Sequence, residues 1–155
     1  SLECLTLTCG GPGTHLIVDT LRMLTSLTRL SLHDFSDQHL AALPDMPQLR
    51  DLELDADEAI DAAAALSRAQ HLALATQLTK LVCEIGGVND VVLSLSALTG
   101  LRHLDISGSC CTDAVLPVIA RTMPHLTQLD FSTMVSDRAQ AVMAAARPEL
   151  LLTCW

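Results

Sequence analysis

The stretch LRHLDISGSCCTDAVLPVIARTMPH, residues 101–125, holds one complete copy of the pattern that decides the fold. It opens with Leu101, Leu104 and Ile106 at the spacing L-x-x-L-x-L, and its second half has the apolar spacing of a helix. The opening returns along the whole chain at intervals of 22 to 29 residues. Its first leucines are Leu2, Leu27, Leu49, Leu78, Leu101, Leu126 and Leu150. Self-similarity at this period predicts a solenoid of stacked strand and helix units.

The openings themselves carry a resemblance to a known family. Six of them read LECLTL, LTRLSL, LRDLEL, LTKLVC, LRHLDI and LTQLDF, whereas the last, LLLTCW, places Thr153 and Trp155 where aliphatic residues are expected. The chain resembles the leucine-rich repeat family over essentially its full length. Its LDISGSCCTDAVL and LDFSTMVSDRAQ segments are most similar to the ribonuclease-inhibitor-like and cysteine-containing subclasses. The resemblance implies an α/β solenoid of about six repeats and a degenerate terminal strand, with parallel strands on the concave face and helices or 3₁₀ segments on the convex face.

One position departs from the family pattern. The residue eight places after the first leucine, commonly Asn or Cys in these repeats, is here Gly10, Phe35, Asp57, Gly86, Ser109 and Met134. We therefore expect most of the side-chain ladder that links neighbouring turns to be missing, unless a slip brings Cys110 into that position.

Length and composition indicate one folded domain over residues 1–155, because 50% of the residues are apolar and only 17% are charged, and the resemblance implies that it is a single leucine-rich repeat domain. Repeats that contact only their neighbours need a cover at each end. In this sequence no polar capping unit stands before Leu2, Leu5 and Leu7 or after Leu150, Leu151, Leu152 and Trp155. We therefore expect a fragment of a longer array, or ends covered by other domains or subunits.

The net charge of −9 restricts the partners that the chain can attract. No cluster of Lys or Arg interrupts the acidic balance, so nucleic acid and anionic membrane surfaces are not expected partners. No apolar stretch approaches the roughly 20 residues of a membrane span. The charge instead favours a protein partner with a basic patch, within a hetero-complex.

The six cysteines show no C-x-x-C pair, and the six histidines are scattered without ligand spacing. We expect reduced, structural thiols, which favour a cytoplasmic, intracellular location. Neither a metal site nor a cofactor is expected. The run Gly10–Gly13 lacks the lysine and hydroxyl of a phosphate loop and is interpreted as a turn.

Helix starts are marked by four matching pairs of capping residues. These pairs are Ser36-Asp37, Asn89-Asp90, Thr112-Asp113 and Ser136-Asp137. We predict a short helix over about residues 37–43, ended by Pro44 and Pro47, and an Ala-rich helix over about 57–70 followed by a connection or second short helix. Pro117 predicts a 3₁₀ start for the helix of the fifth repeat.

The residues between the framework leucines form columns on the predicted concave face, because equivalent positions of neighbouring strands lie side by side. The second column reads Thr6, Ser31, Glu53, Val82, Asp105 and Asp130, and the third reads Thr8, His33, Asp55, Glu84, Ser107 and Ser132. Basic residues flank these acids. The candidate partner-binding residues are therefore Arg29, His33, Arg50, Glu53, Asp55, Lys80, Glu84, Arg102, His103, Asp105 and Asp130.

Two interpretations of these columns stay open. Five carboxylates on one face would welcome Lys or Arg from a partner. Alternatively, the basic residues pair with the acids across neighbouring strands and form a solvated lattice, each pair worth about 0 to 1 kcal/mol.

No reactive grouping of side chains is evident, so we predict a non-enzymatic protein–protein interaction module or scaffold that binds through its concave strand face. The alternative follows from the resemblance to the cysteine-containing subclass, whose members often act as the substrate-recognition part of an F-box-type ubiquitin ligase.

Overall fold

A computed structural model describes residues 2–9, 14–55, 62–83 and 89–155 of the chain. Strands and helices alternate along it. The strands are β1 (Cys4–Thr8), β2 (Arg29–His33), β3 (Asp51–Asp55), β4 (Lys80–Cys83), β5 (His103–Ile106), β6 (Gln128–Phe131) and β7 (Leu151–Cys154). The helices are α1 (Thr14–Met23), α2 (Asp37–Leu40), α3 (Ala62–Leu72), α4 (Asn89–Ser94), α5 (Leu116–Thr122) and α6 (Asp137–Ala146). Short 3₁₀ segments occupy Leu43–Asp45, Leu95–Ala97 and Asp113–Val115.

The seven described strands form one open, parallel sheet in the order of the chain. Each strand is bonded to the previous one in the same way: for example, the N–H of Arg29 donates to the carbonyl of Glu3 at 3.0 Å, and that of Gln128 to the carbonyl of Arg102 at 3.0 Å. This repetition confirms the predicted α/β solenoid.

The repeated leucines form the core between sheet and helices. Leu81, Leu104 and Leu129 are fully buried, and so are most first-position leucines in the middle of the chain. Each such side chain contributes about 1.5 to 3 kcal/mol by leaving water. At the first repeat, by contrast, Leu2 is 47% exposed, because no described residue packs on its outer side.

The prolines shape the helices as their chemistry requires. Helix α2 ends at Leu40, earlier than predicted, and Pro44 lies in the first turn of the 3₁₀ segment that follows. Pro117 lies in the first turn of α5, directly after a 3₁₀ segment, as predicted.

The structure also differs from the prediction at helix α3 and in the segment that follows it. Helix α3 extends to Leu72, past the predicted end, and residues 57–61 of that prediction lie outside the described residues. Residues 73–76 form a turn and not a second helix.

Of the predicted capping residues, Ser136 caps its helix, whereas the side chain of Thr112 makes no capping bond, and both residues bond the preceding repeat. Ser136 accepts a hydrogen bond from the N–H of Ala139 at 3.3 Å, as a helix cap should. Its own N–H and hydroxyl donate to Asp113 of the preceding repeat, each at 2.7 Å. Likewise, Thr112 donates its N–H to Asn89 at 2.9 Å. These side chains link neighbouring repeats at the helix starts, and they replace part of the ladder that the sequence lacks.

The terminal strand corrects one sequence prediction. Leu152 and Cys154 pair with Leu129 and Phe131, so they occupy the framework positions that the sequence assigned to Thr153 and Trp155. A shift by one residue moves every side chain to the other face of a strand, and this register places Leu152 against the core while Trp155 stays 71% exposed. Similarly, Ser109 is buried and Cys110 exposed, so no slip brings Cys110 inward.

Two arginines bind carbonyl groups at or just after the end of a helical segment. The guanidinium of Arg50 donates to the carbonyls of Pro47 and Leu49, each at 2.9 Å. Arg147 donates to four carbonyls, with its side chain only 14% exposed. Its acceptors are Ala120 at 3.3 Å, Met123 at 3.3 Å, Pro124 at 3.2 Å and Leu126 at 2.9 Å. Such contacts satisfy backbone oxygens that a helix end leaves without partners.

All six cysteines are free thiols, of which Cys9, Cys83 and Cys111 are buried. Burial raises the pKa of the Cys83 thiol to about 12, and the nearby Asp105 carboxylate adds to the rise. Burial also raises the pKa of Cys9. The thiols of Cys9 and Cys83 therefore stay protonated at neutral pH, and all three buried cysteines fill the core as small apolar groups.

His39 gives the fold a dependence on pH. The ring is fully buried, its Nδ1 accepts the N–H of Ser36 at 3.0 Å, and burial lowers the pKa of His39 below its ordinary value. The folded chain therefore prefers the neutral ring, while the unfolded chain takes up a proton below about pH 6.5. The contribution of the neutral His39 ring to the free energy of unfolding is therefore fully present above that pH, and it is lost as the pH falls below it. We expect urea midpoints at about pH 7.5 and about pH 5.5 to differ more in the wild type than in His39→Gln.

Glutamine at this helix position can accept the same N–H, so the variant keeps the capping contact. Exposed His125 offers the matched control, because His125→Gln should retain the wild-type difference between the two midpoints. Equal differences in the wild type and His39→Gln would show that His39 carries no such pH dependence.

Candidate functional site

The face of the sheet that points away from the helices, hereafter the open sheet face, carries the predicted columns. The strand register confirms the second column in full, because Thr6, Ser31, Glu53, Val82, Asp105, Asp130 and Thr153 are successive partners. It likewise aligns Thr8, His33 and Asp55 in the third column. The first column runs Cys4, Arg29, Asp51, Lys80, His103, Gln128 and Leu151.

A bonded cluster occupies the open sheet face at β5 and β6. Asp130 is 4% exposed, and its Oδ2 bonds the Nε2 of His103 at 2.8 Å and accepts from the Nε2 of Gln128 at 2.9 Å. Asp105 lies directly beside Asp130 in the register and accepts the N–H of Ser107 at 2.9 Å. Two carboxylates on adjacent strands make this an acidic part of the described face, with one of them buried and held by a histidine and an amide.

A second histidine pair lies at β2 and β3. The Nδ1 of His33 lies 3.1 Å from the Oδ2 of Asp55, and its Nε2 lies 3.4 Å from the hydroxyl of Ser31. The side chains of His33 and Asp55 are 35% and 44% exposed. A partner can therefore reach this pair without unfolding any element.

A groove of about 210 Å³ lies over β1 to β4, and Ser31, which contacts His33, lines it. Its charged lining consists of Arg29, Asp51, Glu53 and Lys80. Among the residues that the structure describes, none of these four side chains has an oppositely charged group within 4.0 Å. The alternative, a cross-strand lattice of Arg and Lys with the acids, is therefore not formed here, and the side-chain contacts of the acids Asp55 and Asp130 on the face are hydrogen bonds with His33, His103 and Gln128.

The structure does not bring every candidate residue to this face. Arg50 instead binds the carbonyls before its strand, and Arg102 precedes β5 with an exposed side chain. Glu84 lies outside the described residues. The sequence also missed Asp51 and Gln128, although both share the column of Arg29 and Lys80, so counting two residues on from the first leucine would have found them.

The described face carries more acidic than basic side chains. It presents five carboxylates, Asp51, Glu53, Asp55, Asp105 and Asp130, against the two permanent cations Arg29 and Lys80. In the described part of the chain, no group of three or more His, Cys, Asp or Glu is arranged to hold a metal ion. What the face offers is a set of hydrogen-bond acceptors for cationic side chains.

Comparison with known proteins bears on the fold. No protein-family model and no curated protein sequence matches the chain. Among solved structures, it is similar to an internalin from Listeria monocytogenes str. 4b F2365, with a TM-score of 0.54 and 19% sequence identity. The likeness covers 98% of this chain and 47% of that chain. The fold is a leucine-rich repeat solenoid.

This leucine-rich repeat solenoid spans about half of the internalin that it resembles. At this identity the likeness concerns the fold alone, so the predicted ribonuclease-inhibitor-like or cysteine-containing subclass stays a prediction. Of the helices described, none is both long and apolar enough to cross a bilayer.

Proposed function

We propose that this leucine-rich repeat solenoid is a non-enzymatic interaction module whose open sheet face binds a basic, extended segment of a protein partner. One observation carries the proposal: the described face presents five carboxylates against two cations, and neither cation is paired with an acid. Lys or Arg side chains of a partner would supply the missing positive charge.

The geometry supports an extended partner. Carboxylates lie on β3, β5 and β6, and neighbouring strands are about 4.8 Å apart, so a segment crossing the strands meets Asp51 and Glu53 in the groove and then, beyond β4, Asp105. The side chains of Asp51 and Glu53 have no hydrogen-bond or ion-pair partner among the described residues, so binding would break no internal contact of these carboxylates.

Fluorescence anisotropy with a fluorescein-labelled peptide of alternating lysine and serine tests the charge requirement. We expect the double variant Glu53→Gln and Asp105→Asn to weaken binding about fivefold to tenfold, because each exposed charge pair contributes up to about 1 kcal/mol. The amide oxygen introduced by Asp105→Asn would still accept the N–H of Ser107, so the strand end is preserved.

The double variant Asp19→Asn and Asp90→Asn removes the same charge from the helical side and serves as the control. It should bind the peptide nearly as the wild type does. Equal weakening by both double variants would mean that only net charge attracts the peptide, and the open sheet face would not be the binding surface.

Service as the recognition part of an F-box-type ubiquitin ligase, membership of a hetero-complex and an intracellular location are predictions that no described contact favours over others. The proposed face would serve in any of these settings.

A further inference from the structure

The buried carboxylate of Asp130 on the open sheet face has one satisfied oxygen and one without a partner. Its Oδ2 bonds the Nε2 of His103 at 2.8 Å and accepts from the Nε2 of Gln128 at 2.9 Å. Its Oδ1 is shielded from solvent and accepts no hydrogen bond from any residue that the structure describes. Since Asp130 is only 4% exposed, this oxygen has lost its hydration without gaining a donor, which is costly for a charged group. A donor from a ligand would remove that penalty.

The free oxygen lies on the side of Asp130 that faces the third column. His103 and Gln128, which bond Oδ2, both stand in the first column, so the other oxygen of the same carboxylate points away from that column. Ser132 follows two residues later on the same strand, and its hydroxyl is also buried without a hydrogen-bond partner among the described residues. Two polar groups that lack partners therefore occupy adjoining outward positions of β6.

A second carboxylate lies directly beside Asp130. Asp105 is its partner in the register, on β5, and adjacent strands are about 4.8 Å apart. The backbone N–H of Ser107 donates to the Oδ1 of Asp105 at 2.9 Å, and within the described part of the chain its Oδ2 has no hydrogen bond. Two carboxylates at this spacing repel each other, so the pair favours a cation that contacts both.

An aromatic side chain stands next to this pair of carboxylates. The N–H of Trp155 donates to the carbonyl of Phe131 at 3.0 Å, so the ladder of β7 continues to Trp155 and sets it beside Ser132 in the third column. Side chains alternate along a strand, so the indole lies on the open sheet face together with Thr153. Trp155 is then the diagonal neighbour of Asp130, a distance that a large ring can span. A cation held by the carboxylates can therefore stack on the indole.

We propose that an arginine of the partner's basic segment anchors at this site, with its guanidinium bridging Asp105 and Asp130 and stacking on Trp155. The proposal rests on the function proposed above, and it names the side chain that the open sheet face selects. A guanidinium is planar and presents five N–H donors, so it can serve two carboxylates on neighbouring strands while one of its faces meets the indole. A lysine ammonium is compact and more strongly hydrated, so it would meet one carboxylate and keep much of its water.

Fluorescence anisotropy with two fluorescein-labelled peptides of equal length and charge tests the preference. One peptide alternates arginine and serine, and the other alternates lysine and serine. We expect the wild type to bind the arginine peptide about fivefold to tenfold more tightly, because stacking and the additional donors add to the attraction between equal charges. Equal affinities would overturn the arginine site and leave the proposed function standing, whereas binding of neither peptide would contradict both.

Substitutions at the site locate the preference. Trp155→Ala removes the ring and Asp130→Asn removes the buried charge, so each should reduce the ratio of the two affinities to about twofold or less. Trp155→Tyr keeps an aromatic face and should keep most of the preference. Trp155 is 71% exposed, so its variants should fold even if Asp130→Asn does not.

Asp51→Asn is the matched control, because Asp51 lies on the same face but in the groove over β1 to β4. It should weaken the binding of both peptides alike and leave the ratio of their affinities unchanged. A ratio that persists in Trp155→Ala, or that falls to the same extent in Asp51→Asn, would rule out the proposed anchor.

Discussion

Replacing Phe131 by alanine will lower the free energy of unfolding by about 3 to 5 kcal/mol, as expected for a large aromatic side chain removed from a packed core. Phe131 is fully buried, and in the register it lies between Ile106 of β5 and Cys154 of β7. Its ring fills space that aliphatic residues fill in other repeats, and alanine leaves a cavity there. Urea denaturation followed by circular dichroism measures the loss.

Phe131→Leu provides the matched comparison, because leucine occupies this framework position in β2 and β3. It should cost less than about 1.5 kcal/mol. Equal costs for the alanine and leucine variants would mean that the space around Phe131 is not filled as the structure indicates.

Arg147→Ala should cost about 3 kcal/mol, although arginine is usually a surface residue and this one lies near the end of the chain. Its guanidinium donates to four carbonyls between Ala120 and Leu126, and a fifth contact joins it to Glu149. Removing the donors leaves partly buried acceptors without partners, which costs about 1 to 3 kcal/mol for such groups. Thermal unfolding and urea midpoints give the measurement.

Two variants control for charge and for helix propensity. Arg138→Ala alters an exposed arginine of the preceding helix, α6, and should change stability by less than about 0.5 kcal/mol. Arg147→Lys keeps the charge but has no planar fork of donors, so it should lose more than half of the stabilisation. A cost for Arg138→Ala that matches the cost for Arg147→Ala would exclude the carbonyl contacts as the cause.

The spacing of leucines was sufficient to predict the solenoid and the columns of its open face. Leu104, at the second framework position, is fully buried, and Asp105 beside it aligns with Asp130 as the alternation requires. Both follow from the two-residue period of a strand, which the sequence displays directly.

The sequence did not predict contacts made by long side chains, or a shift of the strand register by one residue. Arg50 follows a first leucine as Arg102 does, yet it folds back onto two carbonyls, and nothing in the local pattern shows that choice. The terminal strand shifted by one residue because Leu152 gains more from burial than Thr153 does. Asp113 was predicted only as part of a helix start, but its partner Ser136 belongs to the next repeat.

The exposed thiols of Cys4 and Cys154 stand on the first and last strands of the sheet. Six strand spacings separate them, or roughly 29 Å if measured along a flat stack. A donor and acceptor dye on this pair, after Cys110→Ser, would report the length of the solenoid spine by energy transfer. Cys83, whose pKa is raised to about 12, would stay unlabelled at neutral pH. The two native thiols therefore allow the distance between the first and last strands to be measured, and bending of the array would change the transfer efficiency.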